Sequence, residues 1–412
     1  VSKVVVVGIG RVGLPLALYL ADHGHEVTGL DVAADRVEAV RAGRMPFLED
    51  GAQEVMDRVK DRLNATTDTA VVADAEVVIL TLGTPVDEHL NPVFDSLESV
   101  LDSLSKQLHA GQLLILRSTV SPGTTEIVRR RLEKTTQLEV GKDLFLAFCP
   151  ERIAQGKSFK ELPRIPQLVG ALDDASRAKA AAFFEPLVNQ VITSDARSTE
   201  IAKLFCNVYR YIDFAIGNEF MMLADQQERD IYEILRLVNT GYPRGGLKSP
   251  GFTGGPCLYK DGFFLVDRTP FPDLLTTAWK INESVPAYLV AGLRERLGTL
   301  EDKKVLVAGL AFKRDIDDNR NSLAYKTIKI LRRYAADVLC HDPYLAPGDF
   351  AALAREAHAI VVATNHSEYL ALDPALLSTA GPTHVADIWN VFKTGHVFFE
   401  LPLQPATADA AE

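Results

Sequence analysis

The chain opens on a valine-rich run, Lys3–Gly8, that passes into a helical stretch over Leu14–His23 and a second short apolar run, Glu26–Leu30. Further apolar runs follow at Val77–Leu82, Gln112–Arg117 and Leu144–Phe148, each opening into a polar or proline-bearing loop. Short apolar runs bounded by turn residues predict strands buried on both faces, as in a parallel sheet covered by helices. From Ser198 the period changes. Ile201, Leu204, Phe205, Val208, Ile212 and Ile216 keep one apolar helical face, and the pattern continues past Met221 and, after a break near Gln227, through Leu237. Strand and helix then alternate again, with strands over Lys303–Gly309, Asp337–His341 and Ala359–Thr364 and a helix over Ser322–Tyr334. The pattern predicts an α/β chain of two doubly wound domains joined by a long central helix and a helical middle domain, divided as 1–197, 198–300 and 301–412. The last dozen residues, rich in Ala, Pro and Asp, read as a loose tail.

The first turn carries chemistry. Gly8-Ile9-Gly10-Arg11-Val12-Gly13 lies between a strand and a helix, and the second strand ends on Asp31. A lone Gly-x-Gly-x-x-Gly means little, but strand, glycine turn, helix, strand and acid in this order make the Rossmann dinucleotide fingerprint. The glycines let the backbone approach a pyrophosphate at the helix N-terminus, and Asp31 can accept from an adenosine ribose. Because Asp31 repels a 2′-phosphate, NAD is expected rather than NADP. The C-terminal repeat has Gly309-Leu310-Ala311-Phe312-Lys313 in place of the full fingerprint, so it is expected to take a different nucleotide.

Composition narrows the field. A net charge of −11 argues against a nucleic-acid partner. The run Val4–Val7 is too short to cross a bilayer, and no membrane partner is expected. Four cysteines lie far apart, with no Cys-x-x-Cys pair and no His at ligand spacing, so neither a disulfide framework nor a metal site is indicated and a reducing cytoplasm is expected.

Two further features are ambiguous alone. Cys257 sits in Gly254-Gly255-Pro256-Cys257-Leu258-Tyr259-Lys260, a glycine turn with a cation nearby, which suits a thiolate nucleophile but equally a small buried residue. Glu200, Lys203 and Asn207 share a helical face at i, i+3 and i+7, which by itself reads as a solvated polar face.

Six ordered motifs resolve both. Gly-Ile-Gly-Arg-Val-Gly-Leu-Pro, Ser-Thr-Val-Ser-Pro-Gly-Thr-Thr, Cys-Pro-Glu-Arg-Ile, Glu-Ile-Ala-Lys-Leu-Phe-Cys-Asn, Gly-Gly-Pro-Cys-Leu-Tyr-Lys-Asp and Ala-Phe-Lys-Arg-Asp-Ile-Asp-Asp-Asn-Arg run through nearly the whole chain. Together they resemble the nucleotide-sugar 6-dehydrogenases, a family that includes UDP-glucose and UDP-N-acetylmannosamine dehydrogenases. The resemblance implies an N-terminal NAD domain, a C-terminal domain for the UDP moiety, and a homodimer built on the central helix. It implies Cys257 as nucleophile, Lys203 and Asn207 polarising the reacting oxygen, Glu151 working with water near Thr119, and Lys260 and Asp261 as the pair after the cysteine. It further implies cofactor contacts from Gly8, Gly10, Gly13, Asp31, Arg36, Thr84, Ser118, Lys260 and Arg320, and substrate contacts from Arg152, Arg244 and Lys313. The expected reaction is a four-electron oxidation of a UDP-sugar C6 hydroxyl through a thiohemiacetal and a thioester. Many UDP-glucose members carry an acid four residues after Glu151 and an aromatic beside it; here these positions are Gln155 and Arg152, closer to the branch acting on N-acetylated sugars. Lys260, by contrast, is common in the UDP-glucose branch. A UDP-N-acetylhexosamine is therefore expected, with UDP-glucose as the alternative and a non-catalytic binder of NAD and UDP-sugar as a remote one.

Overall fold

The computed structural model describes residues 1–87, 93–266, 272–373, 377 and 382–401. The loose tail expected at the C-terminus lies outside the described residues. The chain divides into two compact units, Val1–Cys206 with Lys260–Pro270, and Asn207–Tyr259 with Phe271–Glu412.

The first unit is built on one eight-stranded sheet. Its strands are β1 (Lys3–Val7), β2 (Glu26–Leu30), β3 (Leu63–Thr66), β4 (Val77–Leu80), β5 (Leu113–Leu116), β6 (Phe145–Phe148), β7 (Gln167–Ala171) and β8 (Val191–Asp195). They lie in the order β3-β2-β1-β4-β5-β6-β7-β8, parallel except where β6 meets β7. Val4–Val7, Val77–Leu80 and Leu113–Leu116 are buried without interruption, as strands covered by helices on both faces must be. The expected strands over Val77–Leu82 and Gln112–Arg117 are shorter than the apolar runs. Their last residues bend out of the sheet into the loops that carry function.

The second unit repeats the plan. Its strands β9 (Lys304–Ala308), β10 (Asp337–His341), β11 (Ala359–Val362), β12 (Thr383–Asp387) and β13 (Phe398–Leu401) take the order β10-β9-β11-β12-β13, with only β12 and β13 antiparallel. The helix Leu323–Arg333 starts where Ser322 accepts from the amide of Ala324.

After β8 the chain forms one helix, Ala196–Gln226, followed by a second over Ile231–Asn239 capped by Asp230. Its polarity is the reverse of the simplest reading. Glu200, Lys203 and Asn207 are 0%, 8% and 6% exposed, so the presumed solvated face is buried. Leu204 is buried as expected, but Phe205, Tyr209, Phe220 and Leu223 are exposed, Phe205 by 60%. Glu200 is explained locally: its carboxylate accepts from the amides of Gly123 and Thr125 and from the Thr125 hydroxyl, capping the helix Thr124–Thr136. Burial raises its pKa, and those hydrogen bonds offset part of the rise.

Candidate active site

The glycine turn is compact. Gly8 has φ of +89°, which favours glycine, and a Cβ on Gly13 would lie 1.9 Å from the Gly8 carbonyl oxygen and 2.4 Å from Thr81 Oγ1. Thr81 locks the turn by donating its hydroxyl to the Gly8 carbonyl at 2.6 Å. A Cβ at Gly10 would meet nothing within 4 Å, so that face is open to a ligand. A tight first glycine, an open second and a packed third are what a pyrophosphate site at a helix N-terminus requires, and the residues present fit NAD.

Asp31 follows β2 and is nearly buried, 7% exposed. Its Oδ2 accepts from the Ile9 amide at 2.9 Å and from Arg36 Nη1 at 2.7 Å, and its Oδ1 from the Ala33 amide at 2.9 Å. Arg36, more exposed, is thus tied to the acid.

A cleft opens at the carboxyl ends of β4 and β5, where a parallel sheet collects its ligands. It brings together Thr84, Ser118 and Thr119 with Phe94 and Phe264. Lys260, 7% exposed, donates to Asp261 Oδ1 at 3.0 Å, lies 3.5 Å from Thr84 Oγ1, and stands 4.6 Å from the centroid of the Phe264 ring. Its ammonium therefore lies between Asp261 and this wall of the cleft.

Beyond β6, Glu151 is held from two sides. Oε2 accepts from Arg117 Nε at 3.1 Å and from Arg117 Nη2, while Oε1 accepts from the amides of Arg152 and Ile153 at 2.8 and 2.9 Å. The Arg152 guanidinium turns to the Pro166 carbonyl. Arg117 was missed as a candidate because its partner is 34 residues away in sequence.

In the second unit, Cys257 is exposed and directly precedes the helical turn Leu258–Asp261. Its loop is pinned by Gly255 donating to the Asn321 carbonyl at 3.1 Å, and a Cβ on Gly255 would strike the Phe312 ring at 2.6 Å. Upstream, Asn218 accepts from the Gly251 amide at 2.8 Å and donates to Asn282 Oδ1 at 2.8 Å, bracing this segment against the central helix. Arg320 is held above its ordinary range, first by its hydrogen bonds to Asp318 and also by the charge of Cys257. A guanidinium therefore belongs to the surroundings of this cysteine. Elsewhere, burial pushes the Cys149 thiol up to about 12 in spite of Arg117, and burial also raises Cys340, so neither is suited to be a nucleophile at neutral pH.

Arg244 is exposed and stacks on Tyr242, with its Nε 2.9 Å from the Tyr242 hydroxyl. Lys313 is half-buried just past the Gly309 turn. That turn differs from its N-terminal counterpart in one respect. Asp342, the counterpart of Asp31, accepts from the amides of both Leu310 (2.6 Å) and Ala311 (2.9 Å), from Tyr344 and Leu345, and from buried His366 at 3.1 Å. The turn's amides are already satisfied by protein, which fits the expectation that this unit does not repeat the dinucleotide mode.

Removing Asp342 should therefore unfold this unit readily. Burial alone would raise its pKa, but His366 and the amides of Ala311, Leu310 and Tyr344 outweigh burial and hold it well below the usual range. A depressed folded value means the contribution is complete above the ordinary aspartate range and is lost as pH falls below it. Asp342→Ala should cost roughly 3–5 kcal/mol at pH 7 and flatten the acid limb of the stability profile. Trp279 and Trp389 both lie in this unit, so urea titrations followed by tryptophan fluorescence report on it; an unchanged midpoint at pH 7 would refute the assignment.

Comparison with known proteins places the geometry. Residues 2–188, 197–284 and 306–394 match, in that order, the NAD-binding, central and UDP-binding domains of the UDP-glucose/GDP-mannose dehydrogenase family. The chain belongs to that family. A UDP-N-acetyl-D-mannosamine dehydrogenase of Pyrococcus horikoshii is 32% identical over 89% of this chain and 90% of its own. The solved structure of UDP-D-ManNAc dehydrogenase from that organism superposes with a TM-score of 0.90 at 30% identity, covering 96% of this chain and 97% of the other. A UDP-glucose dehydrogenase from Pyrobaculum islandicum gives 0.84 at 26% identity, covering 94% of each. The protein is an NAD-dependent nucleotide-sugar dehydrogenase, and the two Rossmann-like sheets with a helical centre are the fold expected for it. Among the described residues, no helix is long and apolar enough to cross a membrane.

Proposed function

We propose that the protein oxidises the C6 hydroxyl of a UDP-N-acetylhexosamine, UDP-N-acetyl-D-mannosamine foremost, to the corresponding UDP-uronate. The observation that carries this reading is the near full-length similarity to a UDP-N-acetyl-D-mannosamine dehydrogenase. Gln155 and Arg152 in place of the acid and aromatic of many UDP-glucose enzymes support it. Lys260 favours UDP-glucose as the second reading.

NAD, when bound, supplies the hydride acceptor for both oxidations. Gly8, Gly10, Gly13, Asp31, Arg36, Thr84, Ser118, Lys260 and Arg320 are assigned to hold it. Lys203 and Asn207 stabilise the negative charge that develops on the C6 oxygen as its proton leaves. The Cys257 thiolate adds to the aldehyde carbon, keeping it covalently bound; oxidation of that thiohemiacetal leaves a thioester. Glu151, with Thr119, orients the water that releases the uronate and returns the thiol, and Asp261 supports Lys260. Arg152, Arg244 and Lys313 are assigned to the substrate.

The working segments are taken as 1–197 for NAD, 198–300 for dimerisation and 301–412 for UDP, in line with the order of the family matches. The exposed apolar residues of the central helix support a homodimer, since a monomer gains nothing by presenting Phe205, Tyr209, Phe220 and Leu223 to water. A reducing cytoplasm is the assigned location because Cys257 must stay reduced, and a UDP-uronate suits polysaccharide synthesis.

The test is a panel of UDP-N-acetylmannosamine, UDP-N-acetylglucosamine and UDP-glucose with purified protein and NAD. The acetylated sugars should lead in kcat/KM by at least about 10-fold, the value of one or two good contacts. Two NADH per sugar are expected. UDP-glucose well ahead of both would reverse the substrate assignment and leave the dehydrogenase class standing.

A further inference from the structure

Arg117 is the largest fully buried side chain among the described residues, 1% exposed, and no step assigned so far uses it. A buried guanidinium is costly unless its donors are met, and a well-packed apolar group would often serve stability better. Here the donors converge. Nε and Nη2 both go to Glu151 Oε2, and Nη1 goes to Gln167 Oε1 at 3.0 Å and the Cys149 carbonyl at 3.2 Å. Phe184 covers the guanidinium, with its ring centroid 5.7 Å away. The backbone is anchored too, the Arg117 amide donating to the Leu80 carbonyl at 3.0 Å and the Cys149 amide to the Leu116 carbonyl at 2.8 Å. With Oε1 held by the amides of Arg152 and Ile153, the Glu151 carboxylate is fixed in plane and rotation. Its side chain is 12% exposed, so one edge remains for a ligand.

We propose that Arg117 is a positioning residue for thioester hydrolysis, fixing the Glu151 carboxylate so that its exposed edge meets the attacking water in a single orientation. The inference rests on the role given to Glu151 above. In that step the water oxygen bonds to C6, the C–S bond breaks with its electron pair going to Cys257 Sγ, one proton goes to the sulfur and the other to solvent, leaving the carboxylate. No oxidant is consumed. A carboxylate free to rotate would lose the water's alignment while leaving both oxidations intact, so the covalent thioester should accumulate on Cys257.

The experiment compares Arg117→Met, Arg117→Lys, Gln167→Met and Glu151→Gln by intact-mass spectrometry of holoenzyme quenched during turnover, with NAD affinity measured by fluorescence. Arg117→Met should slow turnover by about 100-fold, the usual cost of a small misplacement, with the sugar nucleotide on Cys257 becoming the main species and NAD affinity within about 2-fold. Arg117→Lys, which keeps one donor, should restore about a tenth of the activity and a smaller adduct population. Should Arg117→Met not fold, Gln167→Met, which removes one of the two acceptors of Nη1 together with the Gln167 donors to the Pro150 and Leu168 carbonyls, should still raise the adduct fraction about 3-fold. Adduct unchanged in both Arg117→Lys and Gln167→Met, or turnover and NAD affinity lost in parallel, overturns the proposal. If Glu151→Gln also leaves the adduct unchanged, the underlying role of Glu151 fails; if Glu151→Gln accumulates adduct and the Arg117 variants do not, only the role of Arg117 fails.

Discussion

Cys257→Ala is expected to fold, to bind NAD and UDP-sugar as the unmodified protein does, and to release no uronate. The side chain is exposed and its loop is held by backbone and ring contacts of Gly255 with Asn321 and Phe312, so losing one sulfur should cost little stability. Its chemical cost is large. A methyl group cannot bond to the aldehyde carbon, and without the thiohemiacetal no C–H bond is poised at a tetrahedral carbon for the second oxidation. Removal of a covalent nucleophile costs about a million-fold where it has been dissected by mutation, so uronate should fall below detection in ordinary assays. The diagnostic number is the ratio of NADH to sugar consumed, expected to drop from two towards one as the first oxidation alone remains. Intact mass should show an adduct on the unmodified protein and none on the variant. Uronate from Cys257→Ala at a rate near that of the unmodified protein would mean that a hydrated free aldehyde is oxidised, and the thioester route would have to be abandoned.

The readable parts of this site and its hidden parts differ in kind. Val4–Val7, the glycine turn and Asp31 are local: a buried strand, a turn that tolerates no side chain at Gly13 and an acid one strand away can be read along some thirty residues. The loops after Leu80, Leu116 and Phe148 were legible for the same reason, since a parallel sheet collects its chemistry at one end. Periodicity could find the central helix but not its orientation. It shows that a helix has two unlike faces and leaves open which one is buried; Glu200 goes in because it caps the helix Thr124–Thr136, and Lys203 is buried on the same face. The ties of Arg117 to Glu151, of Glu200 to Thr125 and of Asn218 to Gly251 span 34, 75 and 33 residues, and no local propensity encodes them. The strands β3, β7 and β8 of the first sheet and β12 and β13 of the second were likewise not foreseen. β8 is a largely exposed edge strand and lacks the apolar run that marks the central strands.

The pairing of Asp31 with Arg36 leads to a second large effect, on the choice between NAD and NADP. The carboxylate ends β2 where the adenosine ribose of a dinucleotide lies in this fold. A 2′-phosphate there would approach a nearly buried anion; at about 4 Å and an effective dielectric constant of about 20, two like charges repel by about 4 kcal/mol. Arg36 lowers that figure by lying 2.7 Å from Asp31 Oδ2, and solvent at the half-exposed guanidinium lowers it further. A preference for NAD of at least about 100-fold in kcat/KM should remain, equivalent to about 2.7 kcal/mol. Asp31→Asn keeps an oxygen to accept from the Ile9 or Ala33 amide, removes the charge, and releases Arg36, whose planar fork suits a phosphate. NADP should then gain about 10-fold or more while NAD loses the ribose acceptor, bringing the two close to parity. The Arg36→Ala variant separates the two contributions. It leaves Asp31 without its counter-ion and should widen the gap between the cofactors, because the carboxylate then meets the phosphate unscreened. Equal use of NAD and NADP by the unmodified enzyme, or an Asp31→Asn variant with an unchanged ratio, would remove Asp31 from the cofactor site; a narrower gap in Arg36→Ala would show that Arg36, even while paired, already favours the nicotinamide dinucleotide over its phosphate by some contact other than charge.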